Sequence, residues 1–145
     1  MKIKYTIVRP GAQAPQYATE GAAGSDLRAC LPEPVTLAPG ETYLVPIGIS
    51  MEIPAGYVGL VYARSGLATR RGLAPANKVG VIDSDYRGEF FVPIHNHSGA
   101  AAVIEPGERI AQLIITPIVT PVFEEAERLS DTGRGDRGFG STGTA

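Results

Sequence analysis

The feature that most constrains this chain is the alternation over residues 42–53. Tyr43, Val45, Ile47, Ile49, Met51 and Ile53 are all apolar. The residues between them are Thr42, Leu44, Pro46, Gly48, Ser50 and Glu52, polar or small except for Leu44 and Pro46. Successive side chains of a strand point to opposite faces, so this period of two predicts a half-buried strand. Pro46 cannot donate to a ladder and places that strand at an edge or a bulge. Phe90, Val92 and Ile94 repeat the pattern, and residues 2–8, 57–62 and 109–115 are further strand candidates. Turn residues separate them: Pro39 and Gly40, Pro54 and Gly56, Ser98 and Gly99, Pro106 and Gly107. Gly and Pro make up 30 of the 145 residues, enough to punctuate many short strands. The fold class predicted is all-β: a sandwich, jelly roll or barrel.

Helix signal is scarce. Residues 65–71 and 124–129 can each make a turn or two, without a sustained 3.6-residue period. Composition shifts at Asp131: five of the last fifteen residues are glycine, and Phe139 is their only large apolar side chain. Such a segment buries too little apolar area to offset its ordering entropy. The expected organisation is therefore one β-domain over residues 1–130 and a flexible glycine-rich tail over residues 131–145.

Charge and cysteine usage narrow the function classes. A net charge of −2 lacks the basic surplus of a protein that lives on polynucleotide backbones, although local arginines can still hold a small anion. One cysteine, Cys30, excludes an internal disulfide and fits a reducing compartment. Residues 1–9 hold no apolar run of signal-peptide length. The most apolar stretch, residues 110–123, is interrupted by Gln112, Thr116, Pro117, Thr120 and Pro121 and is too short to span a bilayer. A cytoplasmic protein with no membrane partner and no nucleic-acid polymer as ligand is expected.

Several constellations carry potential chemistry. Arg64, Ser65 and Gly66 sit at a strand-to-helix transition, where backbone amides attract phosphate and arginine adds paired donors. The alternative there is a capped helix start with a surface arginine. Residues 80–89 place Asp83, Asp85 and Glu89 around Tyr86. They read as a solvated polar hairpin, as a Mg²⁺ site, or as a general base. The base reading expects Asp83 at the inner end of a buried strand formed by residues 79–82. Asp26 opens a strand after a flexible loop. Gln112 lies inside an apolar strand, so its amide is either structural or aimed at a ligand. His95 and His97 share a face without a third ligand and read as ordinary side chains.

The tail yields three pattern matches that fail on context. Residues 133–138 and 138–143 fit G-x-G-x-x-G, but no strand precedes and no helix can follow. Residues 135–142 resemble a phosphate loop with Ser141 where lysine is required. Arg134, Gly135 and Asp136 spell an adhesion tripeptide, out of place in a cytoplasmic chain. The segment reads either as a disordered end or as a flap, in which Phe139 stacks on a base and Arg134 or Arg137 grips phosphate.

Taken in order, the segments around Asp26, Arg64, Asp83, Gln112 and Phe139 closely resemble the five motifs of the trimeric dUTP pyrophosphatases, the dUTPases. The resemblance spans residues 22–143, and its specificity lies in the order of five individually modest motifs. It implies a jelly-roll-like β-barrel with one short helix, assembled as a homotrimer with active sites at subunit interfaces. One subunit would supply the segments of Asp26, Arg64 and Gln112, a second the hairpin of Asp83, and the third its tail as a lid. It implies hydrolysis of dUTP to dUMP and pyrophosphate with Mg²⁺, which limits uracil in DNA and supplies dUMP for dTMP synthesis. Residue by residue, Asp83 matches the acid that activates water, and Tyr86 matches the tyrosine that packs on deoxyribose and excludes a 2′-hydroxyl. Asn77, Val81, Ile82 and Phe91 match the uracil-reading positions. Arg64, Ser65 and Gly66 match the phosphate turn. Gln112 matches a contact to phosphate or the catalytic water, and Asp26 an acid near the metal's water shell. Phe139 matches the aromatic that covers uracil, and Arg134 the γ-phosphate arginine, with Ser141 and Thr142 assisting. Arg137 departs from a frequent glycine, which leaves the division of labour between the two arginines open. The alternatives are a dCTP deaminase of the same fold and a barrel that binds nucleotide without hydrolysis.

Overall fold

The alternation over residues 42–53 is realised as two strands, not one. A computed structural model describes residues 1–138. In chain order its elements are β1 (Lys4–Ile7), β2 (Gln16–Tyr17), β3 (Ser25–Arg28), β4 (Val35–Leu37), β5 (Thr42–Pro46) and β6 (Ile49–Glu52). Next come β7 (Tyr57–Ala63), α1 (Ser65–Arg71), β8 (Leu73–Pro75), β9 (Gly80–Ile82), β10 (Phe91–Asn96), β11 (Ala102–Ile104) and β12 (Arg109–Pro117). The break between β5 and β6 falls at Ile47 and Gly48. Gly48 has φ 75°, and a Cβ there would stand 2.6 Å from that of Ala12 and 2.8 Å from Cys30 Sγ. Only glycine fits this crossing, where the chain leaves one sheet for another. The period of two survives the break in burial: Val45, Ile47, Ile49, Met51 and Ile53 are all buried, while Tyr43 at the start is partly exposed.

The strands form an all-β jelly roll of small antiparallel sheets. The largest has the order β2-β3-β12-β7-β9; a second is β5-β10-β8, and the pairs β1-β6 and β11-β4 complete it. Pro46 lies on the edge strand β5, opposite Phe91. Inward side chains from all these sheets meet in one core, including Leu27, Leu37, Val45, Ile49, Ile94, Ile104 and Ile110. Each fully buried aliphatic side chain of this kind contributes roughly 1.5–3 kcal/mol. Phe90, Val92 and Ile94 are buried, as their alternation predicts. Asn96 is also fully buried and fully satisfied. Its Nδ2 donates to the carbonyls of Leu37 (3.0 Å) and Ala100 (2.8 Å), and its Oδ1 accepts from Ser98 N and Oγ.

Two expectations are corrected. Residues 79–82 do not make a buried strand: β9 is the edge of the five-stranded sheet, Val81 is 64% exposed, and Asp83 is exposed. Residues 124–129 form no helix and are exposed. A helix of six residues is marginal without packing, and residues 124–129 are all exposed among the described residues. Residues 65–71 do form a helix, ended by Gly72 in the left-handed conformation. Among the described residues no helix is long and apolar enough to cross a membrane.

Candidate active site

The site residues fall into two clusters flanking β7. The first is a cleft of about 250 Å³ between the free edge of β9 and the start of β10. Leu27 and Val61 form its apolar floor, and Asn77, Val81, Asp83, Tyr86 and Phe91 stand around it. Both edges lack a neighbouring strand here: β9 closes its sheet, and β8 pairs only with residues 94–96 of β10. The cleft thus offers backbone donors and acceptors on fixed strands, together with a carboxylate and aromatic rings.

The hairpin after β9 is held by its own contacts. Tyr86 Oη donates to the Glu89 carbonyl at 2.9 Å, and its ring stacks on Phe90 with centroids 6.2 Å apart. A Cβ on Gly88 would overlap the Tyr86 ring, so the absence of a side chain at 88 lets the ring fold back across the turn. Asp83 lies one residue beyond β9, exposed at the cleft.

The second cluster is built on β3, β12 and the β7–α1 junction. Asp26 is buried, yet its carboxylate is fully paired: Arg64 Nε donates to Oδ1 at 2.8 Å and Arg109 Nη1 to Oδ2 at 3.2 Å. Such a charge tolerates burial only with partners of this kind. Register places Gln112 opposite Asp26 on one side and Tyr62 on the other, and Gln112 Nε2 donates to the Ala63 carbonyl at 2.8 Å. Arg64 precedes α1 with extended backbone and makes no side-chain cap. This disposes of the capped-helix, surface-arginine reading. The guanidinium is pinned through Nε, while its Nη groups have no acceptor among the described residues. Ser65 and Gly66 form the uncapped first turn, exposed beside it.

Arg64, Ser65, Gly66 and Gln112 do not line the cleft that holds Asp83. In the tail, Arg134 Nε donates to the Arg137 carbonyl (2.8 Å) and Arg137 Nε to the Arg134 carbonyl (3.0 Å) in an exposed turn. Phe139, Ser141 and Thr142 lie outside the described residues. Sequence reasoning assigned no role to Arg109, Gly88 or Arg9. Arg109 left a trace, a charge at the mouth of an apolar strand; the other two are visible only through contacts distant in sequence.

No three His, Cys, Asp or Glu side chains gather at metal-binding spacing among the described residues. This donor set does not suit an ion held in an all-protein cage. It does fit Mg²⁺, which takes one or two carboxylates and otherwise waters and substrate phosphates.

The family model for dUTPase matches residues 11–143. The chain belongs to the dUTPase family. Among relatives, the deoxyuridine 5′-triphosphate nucleotidohydrolase of Desulfitobacterium hafniense is 48% identical over 146 residues, covering 100% of this chain and 97% of that protein. The one from Anaeromyxobacter is 53% identical over 134 residues, covering 92% and 90%. A solved dUTPase of Staphylococcus bacteriophage 80alpha, with dUPNHPP, aligns at a TM-score of 0.90 with 30% identity over 99% of each chain. A variant of the phage phi11 dUTPase, described for its structural Mg(II) ion, aligns at 0.80 with 26% identity, covering 88% of this chain and 98% of that one. Among dUTPases, then, the chain is similar to whole proteins of its own length, and its jelly roll is theirs.

Proposed function

We propose that this dUTPase-family chain hydrolyses dUTP to dUMP and pyrophosphate, by in-line attack of an Asp83-activated water on the α-phosphate. The observation that carries the reading is the cleft between β9 and β10, where Asp83 and Tyr86 face two strand edges free to bond a base. Uracil and cytosine reverse donor and acceptor at two positions, so fixed backbone groups of β9 and the side chain of Asn77 discriminate them. Tyr86, braced by Glu89 and Phe90, packs on the deoxyribose and blocks a 2′-hydroxyl. Arg64, Ser65 and Gly66 bind phosphate, with Gln112 beside them.

Asp83 takes the proton from water as the oxygen attacks phosphorus, and pyrophosphate leaves. Asp83 lies one residue beyond β9, exposed at the cleft where a water can approach its carboxylate. Mg²⁺, when bound, would neutralise triphosphate charge, and Asp26, held by Arg64 and Arg109, would lie near its water shell. Asp26 and its two arginines hold the phosphate turn in position. Most of the rate in such chemistry comes from positioning and charge neutralisation.

The cleft and the Arg64 cluster open separately in one chain, which supports a homotrimer whose sites are completed between subunits, with residues 131–145 as a lid from a third. A cytoplasmic location and a role in supplying dUMP and sparing DNA from uracil accompany this reading. One assay tests it: dUTP, dCTP, dTTP and UTP are offered with Mg²⁺, and pyrophosphate and ammonia are measured. Pyrophosphate from dUTP alone is expected. Ammonia from dCTP, or binding without product, overturns it.

A further inference from the structure

Glu89 joins three parts of the molecule. Its side chain is only 16% exposed and lines the cleft. Its carboxylate accepts from Arg9 Nε and, at 3.2 Å, from the backbone amide of Gly48. Its carbonyl accepts the Tyr86 hydroxyl at 2.9 Å. Arg9 comes from the strap after β1, which is itself tied to the β5–β6 crossing: Val8 N donates to the Gly48 carbonyl at 2.8 Å. The Arg9 guanidinium also lies over the Phe91 ring, 5.7 Å from its centroid. One arginine, 80 residues away in sequence, thus touches Glu89 and Phe91, the residues through which the hairpin that carries Tyr86 runs into β10.

We propose that Arg9 is a positioning residue for sugar discrimination, setting the height of Tyr86 in the cleft through Glu89 and Phe91. The assignment rests on the reading of Tyr86 as the group that excludes a 2′-hydroxyl. The geometry gives Arg9 two functions at once. Its Nε pins the Glu89 carboxylate, and with it the carbonyl that anchors the tyrosine. Its flat face holds Phe91, the first residue of β10. It also neutralises one of the two carboxylates, Glu89 and Asp83, that line a cleft built for an anionic nucleotide. In line with this contact, the hydrogen bond to Glu89 raises the Arg9 pKa above its ordinary value. Without Arg9, Glu89 keeps the Gly48 amide but loses its charged partner, and the hairpin gains freedom to move away from the ribose.

The test compares kcat/KM for dUTP and UTP in the full chain with Arg9→Ala and Arg9→Lys. In Arg9→Ala the preference for dUTP over UTP falls about tenfold or more, the effect of roughly one charge-assisted hydrogen bond on selection. In Arg9→Lys it falls less, because lysine keeps the charge and loses the planar guanidinium over Phe91. A purely structural role lowers both substrates by the same factor; that result, or an unchanged preference in both variants, overturns the proposal. If Arg9→Ala does not fold, the lysine variant alone decides by the same criterion. The ring resonances of Tyr86 supply a readout that needs no turnover. They shift in the variants if the coupling exists, and spectra superposable on wild type overturn it. A wild-type chain inactive on dUTP defeats the functional reading instead, while the Tyr86 signal still reports on Arg9.

Discussion

At the scale of single residues, charge and position decide more than residue type. Asp83 and Asp26 are both aspartates near the ends of short strands, yet Asp26 is buried with both oxygens engaged and Asp83 is open to the cleft. The first is suited to holding arginines, the second to accepting a proton. Asp83→Asn should retain dUTP binding and lose roughly 10²- to 10⁴-fold in kcat, the usual contribution of a positioned base. Single-turnover kinetics beside a binding isotherm check this, and wild-type turnover in the variant removes Asp83 from the role. A second prediction concerns His97. Partial desolvation, then His95 and Lys78, lower its pKa from the ordinary 6.5. The unfolded chain therefore binds this proton first as pH falls. The contribution is complete above pH 6.5 and is lost as pH drops through the lower folded value. Thermal midpoints measured from about pH 8 to about pH 5 should fall at the acid end, and His97→Gln should flatten that fall. Because His97 is exposed, the difference is small.

At the scale of elements, the crossing between β5 and β6 shows how one position sets a topology. The alternating pattern has no interruption at Gly48, because glycine stands on the polar face where a small residue excites no notice. The positive φ and the approach of Ala12 and Cys30 turn the strand into two. Gly48→Ala should cost about 2–5 kcal/mol, combining left-handed backbone strain with overpacking. Denaturant unfolding measures the loss. The same substitution should speed alkylation of Cys30, a buried thiol whose pKa is raised above 9.0 by desolvation and which is therefore slow to react in the wild type. A Gly48→Ala variant with wild-type stability and an equally inert Cys30 would contradict this account. Helix α1 gives the complementary case. Its seven residues match the span expected from sequence, since Arg64 and Gly72 bracket it and Leu67 anchors it in the core. Residues 124–129 have similar local propensity but no such anchor, and they stay irregular.

At the scale of the whole molecule, the separation of the cleft from the Arg64 cluster bears on assembly. If sites are shared among subunits, two inactive chains can complement each other. Asp83→Asn supplies an intact tail, and a chain ending at residue 130 supplies an intact hairpin. Co-refolded, the pair should regain a measurable part of wild-type activity, although each alone is poor. Sedimentation should give a mass near three copies of the 15.2 kDa chain. Recovery of no activity from the mixture, or a monomeric mass, would place the complete site within one chain.

The sequence by itself determined the strand periodicity, the short helix over residues 65–71, the composition break at Asp131 and the order of motifs that marks the family. These are local properties: a period of two, a glycine after a helix, a run of short motifs, each legible from neighbours along the chain. It also named the main groups of both clusters, Arg109 excepted. Tertiary structure alone decided how they act together. Asp26 meets Arg64 across 38 positions and Arg109 across 83, and Arg9 meets Glu89 across 80. No local pattern encodes such pairs, because they arise where separate strands are brought side by side to bury a common core. The same packing left β9 as an edge, which exposes Asp83 and frees the backbone beside it. The sequence alone suggested a buried strand there, since an apolar run reads alike on either side of a sheet edge.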